Sequence, residues 1–126
     1  MSEQFSRTEG LLGEEAVKHL HNCRVAVFGV GGVGGFTVEA LARSGVGTID
    51  IIDKDTVCES NLNRQIIALH STIGQDKVDV LKQRILDINP NAVVHAPSGN
   101  LSAKSIRRGS GSWSLRRFRE TKSSMD

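Results

Sequence analysis

Short apolar runs typical of strands alternate with segments of helical hydrophobic period along the first 96 residues. The run RVAVFGV, residues 24–30, is apolar almost throughout and ends in glycines, which predicts a strand buried on both faces of a parallel sheet. TIDIID, residues 48–53, and AVVHA, residues 92–96, predict two further short strands. Because helical segments separate these strands, the pattern predicts βαβ units, and therefore an α/β fold with a Rossmann-like parallel sheet and flanking helices.

Three segments have a helical period. In LLGEEAVKHL, residues 11–20, one face is formed by Leu12, Ala16 and Leu20. TVEALARSGVG, residues 37–47, predicts a helix that ends at Gly45 or Gly47.

The third helical segment is DKVDVLKQRILDINP, residues 76–90. Its apolar face consists of Val78, Leu81, Ile85 and Ile88, and the Asn89-Pro90 pair predicts its end. The stretch before it, SNLNRQIIALHSTIG, residues 60–74, is rich in polar side chains and predicts a loop or an irregular helical segment.

The periodic pattern stops at Pro97. Residues 97–126 contain eight serines and five arginines and keep no sustained hydrophobic period. Residues 1–96 hold 9 Lys and Arg against 12 Asp and Glu, a net charge of −3, whereas residues 97–126 hold 7 against 2, a net charge of +5. We therefore predict a globular part over 1–96 and, over 97–126, a disordered basic tail or a stretch of out-of-frame sequence.

Several classes of protein are disfavoured by composition. The two cysteines, Cys23 and Cys58, form no CxxC motif and no metal-ligand spacing, and no metal site is predicted. No apolar run reaches the roughly 18 residues of a membrane span. The acidic N-terminal segment argues against a secretory signal, so we expect a cytoplasmic protein.

A glycine-rich loop joins the first strand to the next helix. Gly29, Gly31, Gly32 and Gly34 follow the strand and open the helix, where glycine lets backbone N–H groups approach phosphate oxygens. The helix N-terminus adds unpaired N–H groups and a positive dipole end. Asp53, at the end of the second strand, is placed to accept hydrogen bonds from ribose hydroxyls. These residues predict an adenine-nucleotide site, and NAD fits them as well as ATP does.

Polar residues after the second strand favour a triphosphate. Asn61, Arg64 and Gln65 lie just past that strand, and Lys77 opens the following helix. Added cations suit the β- and γ-phosphates, which carry more charge than a dinucleotide's pyrophosphate and become the leaving group. Taken alone, however, Arg64 and Lys77 could be ordinary surface charges.

Four sequence segments together resemble one known family. GVGGVG, IIDKDTVCESNLNRQ, IGQDKVDVLKQRILDINP and the leading FSRTEGLLGEEAV are similar to the ThiF/MoeB/HesA family of adenylating enzymes, whose fold ubiquitin-activating enzymes share. The resemblance runs from about Phe5 to Ala96. Within the family it is strongest to the dehydratase subgroup that acts on N6-threonylcarbamoyladenosine in tRNA.

The resemblance implies an ATP-dependent reaction in which a carboxylate becomes an acyl-adenylate. In the dehydratase subgroup that carboxylate belongs to the modified tRNA nucleoside, and a later ring closure completes the loss of water. Family members form homodimers, in which the residue matching Arg7 reaches into the partner's site. Arg7, Arg64 and Lys77 would stabilise the departing pyrophosphate. The implied nucleotide-binding positions are Gly29, Gly31, Gly32, Gly34, Asp53, Ser60, Asn61, Leu62, Asn63, Arg64, Gln65 and Lys77.

The sequence after the third predicted strand departs from the family pattern. Relatives continue with a strand whose terminal aspartate holds Mg²⁺, and residues 97–126 show no such strand. We therefore expect a truncated, catalytically incomplete form of the enzyme. Two alternatives stay open: an NAD-binding Rossmann module, and a noncatalytic tRNA-binding fragment that uses the arginines, Trp113 and Phe118 of its tail.

Overall fold

The computed structural model describes residues 3–97, which form two N-terminal helices followed by a small α/β unit. A 3-10 turn precedes the first helix, and a second 3-10 turn follows the second strand. In chain order the elements are a 3-10 turn at Glu3–Phe5, α1 at Ser6–Leu12, α2 at Glu14–Asn22, β1 at Arg24–Phe28, α3 at Val33–Ser44, β2 at Thr48–Ile52, a 3-10 turn at Glu59–Asn63, α4 at Lys77–Ile88 and β3 at Val93–His95.

The three strands form a parallel sheet in the order β1-β2-β3. Val27 pairs with Ile51 across β1 and β2, and Ile49 pairs with Val94 across β2 and β3. A helix connects each strand to the next, which confirms the predicted βαβ organisation and the Rossmann-like α/β class.

The hydrophobic core lies between the sheet and the pair α3 and α4. Side chains at alternate strand positions point to the same face, so Val27, Ile49, Ile51 and Val94 all face these two helices. The core also contains Val38 and Ala42 of α3 and Val78, Leu81 and Ile85 of α4. The apolar stripe predicted for residues 76–90 is thus the packed face of α4, with Ile88 half-buried at its end.

Both long helices end where the sequence predicts. Gly45 follows α3 with a φ of 98°, in the left-handed region that favours glycine, and its N–H donates to the carbonyl of Ala42. α4 ends at Ile88, directly before the Asn89-Pro90 pair.

The prediction for the N-terminal helix was wrong in its detail. Gly13 has a φ of 95° and separates α1 from α2, so one continuous face through Leu12, Ala16 and Leu20 does not form. Leu12 is 52% exposed, and the fully buried residue is Val17. The left-handed backbone at Gly13 resets the helical phase, which a count of residues cannot detect.

The prediction that β1 is buried on both faces was also wrong. Val27 is buried, whereas Val25, Ala26 and Phe28 are only half-buried. Among residues 3–97, β1 pairs with β2 alone, and no helix there covers the face opposite α3 and α4 to the same degree. An apolar run therefore identifies the strand without showing that both of its faces are covered.

Two further predictions concern the basic C-terminal tail and membrane spans. The predicted tail after Pro97 lies outside the described part of the chain. Within residues 3–97, the helices are too short or too polar to cross a bilayer.

Candidate functional site

The glycine loop has the backbone geometry that its sequence predicts. Gly29 has a φ of 84° and Gly32 a φ of 52°, conformations that side chains strongly disfavour. Gly32 immediately precedes α3, and a Cβ atom placed on it would meet nothing within 4 Å. The loop therefore presents the start of α3 to an open space, where unpaired helix N–H groups can bind an anion.

Gly35 is a further requirement of this loop that the sequence pattern did not single out. A Cβ atom there would lie 2.8 Å from the carbonyl oxygen of Val30 and 3.1 Å from Cγ2 of Ile66. Gly35 thus allows the first turn of α3 to pack against the loop. It falls outside the G-x-G-x-x-G spacing, and only the doubled glycine at 34–35 could have suggested it.

Asp53 is fixed beside the glycine loop. Its Oδ2 accepts a hydrogen bond of 2.9 Å from the backbone N–H of Val30, and its Oδ1 accepts one of 2.8 Å from Asp55 N–H. The Gly29 N–H donates to the carbonyl of Ile52 at 2.8 Å, which ties the loop to the end of β2. A carboxylate has about four acceptor positions, so Asp53 keeps capacity for ribose hydroxyls after these two bonds.

Gln65 lies directly over Gly31. A Cβ atom on Gly31 would come within 2.8 Å of Nε2 of Gln65, so a larger residue at position 31 would push the end of this side chain aside. Gln65 is 8% exposed, and its buried Oε1 has no hydrogen-bond partner within the described part of the chain. A buried carboxamide oxygen without a hydrogen-bond donor lowers the stability of the folded protein. A polar ligand that donates a hydrogen bond to this oxygen would therefore stabilise the folded protein.

The 3-10 turn at residues 59–63 holds the predicted polar residues in a compact arrangement. Asn61 is 8% exposed, and its Oδ1 accepts a 2.9 Å hydrogen bond from the N–H of Cys58. Leu62 packs against the hydrophobic core. Asn61 and Leu62 therefore shape the turn in the free chain, a role that the polar pattern alone did not reveal.

Arg64 is exposed and held by its neighbours. Its Nη1 donates to the carbonyl of Ser60 at 3.2 Å and to Oδ1 of Asn63 at 2.8 Å. These contacts keep the guanidinium close to the turn without pairing it to a carboxylate within residues 3–97. Its positive charge is thus available to an anion.

Lys77, by contrast, is almost fully buried. It begins α4, its N–H donates to the carbonyl of Asp55 at 3.0 Å, and the residue is only 6% exposed. The described residues provide no ion pair or hydrogen bond to its ammonium group. The ammonium nitrogen itself is not sealed from solvent, so its positive charge is free to make a charge-assisted hydrogen bond to a bound anion.

Short contacts bring these segments together at the carboxyl edge of the sheet. Gly31 touches Gln65, Val30 is bonded to Asp53, and Asp55 is bonded to Lys77. The glycine loop, the end of β2 and the start of α4 therefore lie around one region.

Arg7 does not join this group within one chain. It is exposed on α1, two residues after Phe5, whose ring lies 5.0 Å from that of His21. His21 in turn bonds through Nδ1 to the carbonyl of Gly45, at the end of α3 that is distant from the glycine loop. Arg7 therefore lies toward the amino edge of the sheet, opposite the candidate site.

The described residues offer no ready metal site. Residues 3–97 contain no group of three or more His, Cys, Asp or Glu side chains placed to share an ion. Both cysteines are free thiols. The chemistry of the site thus lies in backbone N–H groups, one carboxylate, a carboxamide and two cations, a set suited to a nucleotide.

The chain is similar in sequence to proteins of one known family. Residues 5–113 match the ThiF family. The tRNA threonylcarbamoyladenosine dehydratase of Bacillus subtilis (strain 168) is 58% identical over 96 residues, which cover 76% of this chain and 38% of that protein. The Escherichia coli (strain K12) protein of the same name is 45% identical over 92 residues, 73% of this chain and 34% of that protein.

A solved structure shows the same fold. The E. coli dehydratase TcdA in complex with ATP superimposes with a TM-score of 0.80 at 37% identity, covering 88% of this chain and 46% of that one. The present chain thus spans less than half the length of these relatives.

Proposed function

The chain belongs to the ThiF family, and we propose that it forms the nucleotide-binding part of an ATP-dependent adenylating enzyme that acts on N6-threonylcarbamoyladenosine in tRNA. The names of its relatives and the ATP bound in one structural neighbour support the substrate and the nucleotide. Because the chain covers only part of those proteins, the whole reaction is a proposal for this one.

The observation that carries the proposal is Lys77, a largely buried residue whose ammonium group has no partner among residues 3–97 and is not itself sealed from solvent. Lys77 is 6% exposed, and no carboxylate pairs with it among residues 3–97. Its backbone is bonded to Asp55, two residues from the carboxylate that supports the glycine loop. A triphosphate bound at this loop would supply the missing negative charge, whereas a dinucleotide has less charge to place there.

The other residues of the site then take distinct roles. The N–H groups of Gly31 and Gly32, in the loop whose backbone Gly29 and Gly34 shape, bind a phosphate, and Asp53 accepts hydrogen bonds from the ribose. Gln65 would gain a partner for its buried Oε1 from the bound nucleotide or its water. Arg64 would exchange its bonds to Ser60 and Asn63 for phosphate oxygens. Asn61 and Leu62 keep the turn in shape.

The first chemical step joins a carboxylate to the nucleotide. An oxygen of the threonyl carboxylate attacks the α-phosphorus of ATP, the bond to the β-phosphate breaks, and pyrophosphate leaves with the electron pair. Lys77 and Arg64 stabilise that developing charge, and in a homodimer Arg7 of the partner chain would add a third cation. The main task of the protein is to hold the reacting groups in line.

The second step closes a ring. A nitrogen of the same modification attacks the activated carbonyl carbon, AMP leaves with the former carboxylate oxygen, and a proton is lost, so that the net change is loss of water. Mg²⁺ is expected for the family. We assign it no ligand and no step, because the acidic side chains of residues 3–97 form no cluster for it.

Binding of ATP tests the proposal most directly. We expect ATP to displace a fluorescent ATP analogue at lower concentration than NAD does. Lys77→Gln should weaken ATP binding about tenfold or more, because it removes one charge-assisted phosphate contact. Lys82→Gln, on the same helix, is the matched control and should leave the affinity nearly unchanged. A preference for NAD, or equal ATP affinity in both variants, would refute the triphosphate site.

Catalysis is tested separately from binding. If this 126-residue chain is the incomplete form that its sequence predicts, it should bind ATP but release no pyrophosphate when given tRNA that carries the modification. The positive control is a full-length relative under the same conditions. Comparable pyrophosphate release by both proteins would show that the chain has the complete catalytic apparatus.

A further inference from the structure

A cavity lies at the amino edge of the sheet, away from the glycine loop. It has a volume of about 530 Å³, within the range of small-molecule sites. Its lining includes Phe5, His21, Thr48, Asn89, Asn91 and Val93, and we call it the amino-edge cavity. The proposed nucleotide site uses none of these residues.

A buried carboxamide points to a polar ligand there. Asn89 is 4% exposed, and its Oδ1 accepts a 3.3 Å hydrogen bond from the N–H of Asn91. Within the described part of the chain its Nδ2 has no partner, although the group is not sealed from the cavity. A largely buried donor that opens onto a cavity is satisfied by water or by a ligand acceptor.

His21 provides the complementary acceptor. Its Nδ1 lies 2.7 Å from the carbonyl oxygen of Gly45, which can only accept, so Nδ1 carries the hydrogen. With the hydrogen on Nδ1, the lone pair of Nε2 can accept a hydrogen bond, and residues 3–97 supply no donor to it. One donor and one acceptor thus belong to the same cavity.

The residues that line the amino-edge cavity disfavour a charged ligand. None of the named lining residues is an acid or a lysine or arginine, so a charged ligand would find no counter-charge. The Phe5 ring and Val93, which is 50% exposed, add apolar surface. A flat, neutral ring with polar atoms on one edge suits this combination.

We propose that the amino-edge cavity binds a neutral heterocycle that presents an N–H donor beside a C=O acceptor, as uracil does. The ring N–H donates to Nε2 of His21, and the ring carbonyl accepts from Nδ2 of Asn89. The ring can come from a free nucleoside or from an unpaired base of an RNA, since both expose the same edge. This site is independent of the proposed ATP chemistry.

The test is a titration of the isotope-labelled 126-residue chain with uridine, followed by NMR in saturating ATP. We expect the side-chain amide signal of Asn89 and the backbone signals of Gly47 and Val93 to shift together and to saturate. With 3-methyluridine, which lacks the N–H donor, the shifts should be lost. Shifts confined to residues 29–34, or equal responses to both nucleosides, would overturn the proposal whether or not ATP binds.

A pair of variants identifies the donor. Asn89→Asp keeps the oxygen that Asn91 needs but removes the Nδ2 donor, and should weaken uridine binding about tenfold or more. Gln83→Glu, an equivalent amide-to-acid change on the exposed side of α4, should leave it unchanged. If Asn89→Asp unfolds the chain, the comparison of uridine with 3-methyluridine on the wild-type chain still tests the proposal. Wild-type affinity in folded Asn89→Asp would refute the assignment.

The source of the ring is decided by a second ligand. Hexauridylate in place of uridine should shift the same three signals. Tighter binding per molecule than uridine, lost in Asn89→Asp, assigns the cavity to an unpaired RNA base, and equal binding assigns it to the free nucleoside. Failure of both ligands to shift the Asn89 amide would contradict the proposal.

Discussion

The two faces of the sheet differ in how completely they are covered. On the face toward α3 and α4, Val27, Ile49, Ile51 and Val94 are at most 8% exposed. On the opposite face, within the described part of the chain, Asp50 is the buried strand residue, whereas Val93 is 50% exposed and His95 is exposed. Parallel sheets are normally covered on both faces, so the described residues close only one side of this fold.

The difference shows where stability comes from. The helix-covered face is apolar, and its side chains join one contiguous core. The opposite face has a partly buried ion pair, in which Arg24 donates to Asp50 through Nε at 2.8 Å and Nη2 at 3.0 Å. Apolar burial is the main favourable contribution to folding, and buried ion pairs contribute little net stability. We therefore expect most of the stability of this chain to depend on the first face.

The largest expected effect compares adjacent residues of β2. Ile51 is fully buried on the helix-covered face, and Ile52 is half-buried on the other. Ile51→Ala should lower the free energy of unfolding by about 4 kcal/mol, because it leaves a cavity in the core, and Ile52→Ala by about 1 kcal/mol. Urea unfolding measures both. Equal losses would mean that the second face is also closed in solution.

The next effect tests the ion pair on the second face. The side chain of Asp50 is 5% exposed and that of Arg24 is 29% exposed. The hydrogen bond to Asp50 raises the pKa of Arg24. Asp50→Asn should lower the free energy of unfolding by about 2 kcal/mol, less than for a fully buried pair because Arg24 reaches solvent. Asp87→Asn, at an exposed position of α4, serves as the control for a lost carboxylate. Unchanged stability in Asp50→Asn would show that Arg24 needs no charged partner.

A smaller effect concerns Glu39 of α3, which pairs with Arg84 of α4 and with Arg43 one turn further along α3. Glu39 accepts a hydrogen bond from Arg84 and lies 3.6 Å from Nε of Arg43, and the bond from Arg84 lowers the pKa of Glu39. Because the folded-state pKa is the lower one, the stabilisation is complete above the unfolded pKa of about 4.3 and is lost as the pH falls through the folded value.

We therefore expect Glu39→Gln to cost about 1 kcal/mol at neutral pH, and less as the solution is acidified past that point. Urea midpoints of both proteins across this range measure the difference. A gap between wild type and Glu39→Gln that stays constant with pH would contradict the assignment to Glu39.

The smallest effect on folding, but a useful one, comes from the exposed second face. Val93→Lys places a charge at a half-exposed position and should change the free energy of unfolding by less than about 0.5 kcal/mol. If apolar contacts on this face drive the self-association that an open parallel sheet invites, the variant should associate less than wild type in sedimentation velocity. Equal association would place the contact elsewhere.

Local sequence patterns predicted the elements better than their surroundings. β2, α3 and α4 follow from their periods, and Gly45 and Asn89-Pro90 end the helices as predicted. The errors were Leu12, which is exposed, and β1, which is half-buried. The burial of Leu12 and of β1 depends on which distant parts of the chain pack against them. The hydrophobic period of a segment does not contain that information.

At the candidate site, the sequence alone determined which chemical groups are present and in what order: a glycine loop after a strand, a carboxylate after the next strand, and cations beyond it. The tertiary structure decided how they are used. In the fold, Asp53 accepts a hydrogen bond from the Val30 N–H, and Gln65 lies over Gly31. Gly35 allows close packing of α3 against the loop, and Lys77 is largely buried without a partner among residues 3–97. Residue type and spacing follow from local sequence, whereas burial and pairing depend on contacts between segments distant in the chain, and those exist only after the chain has folded.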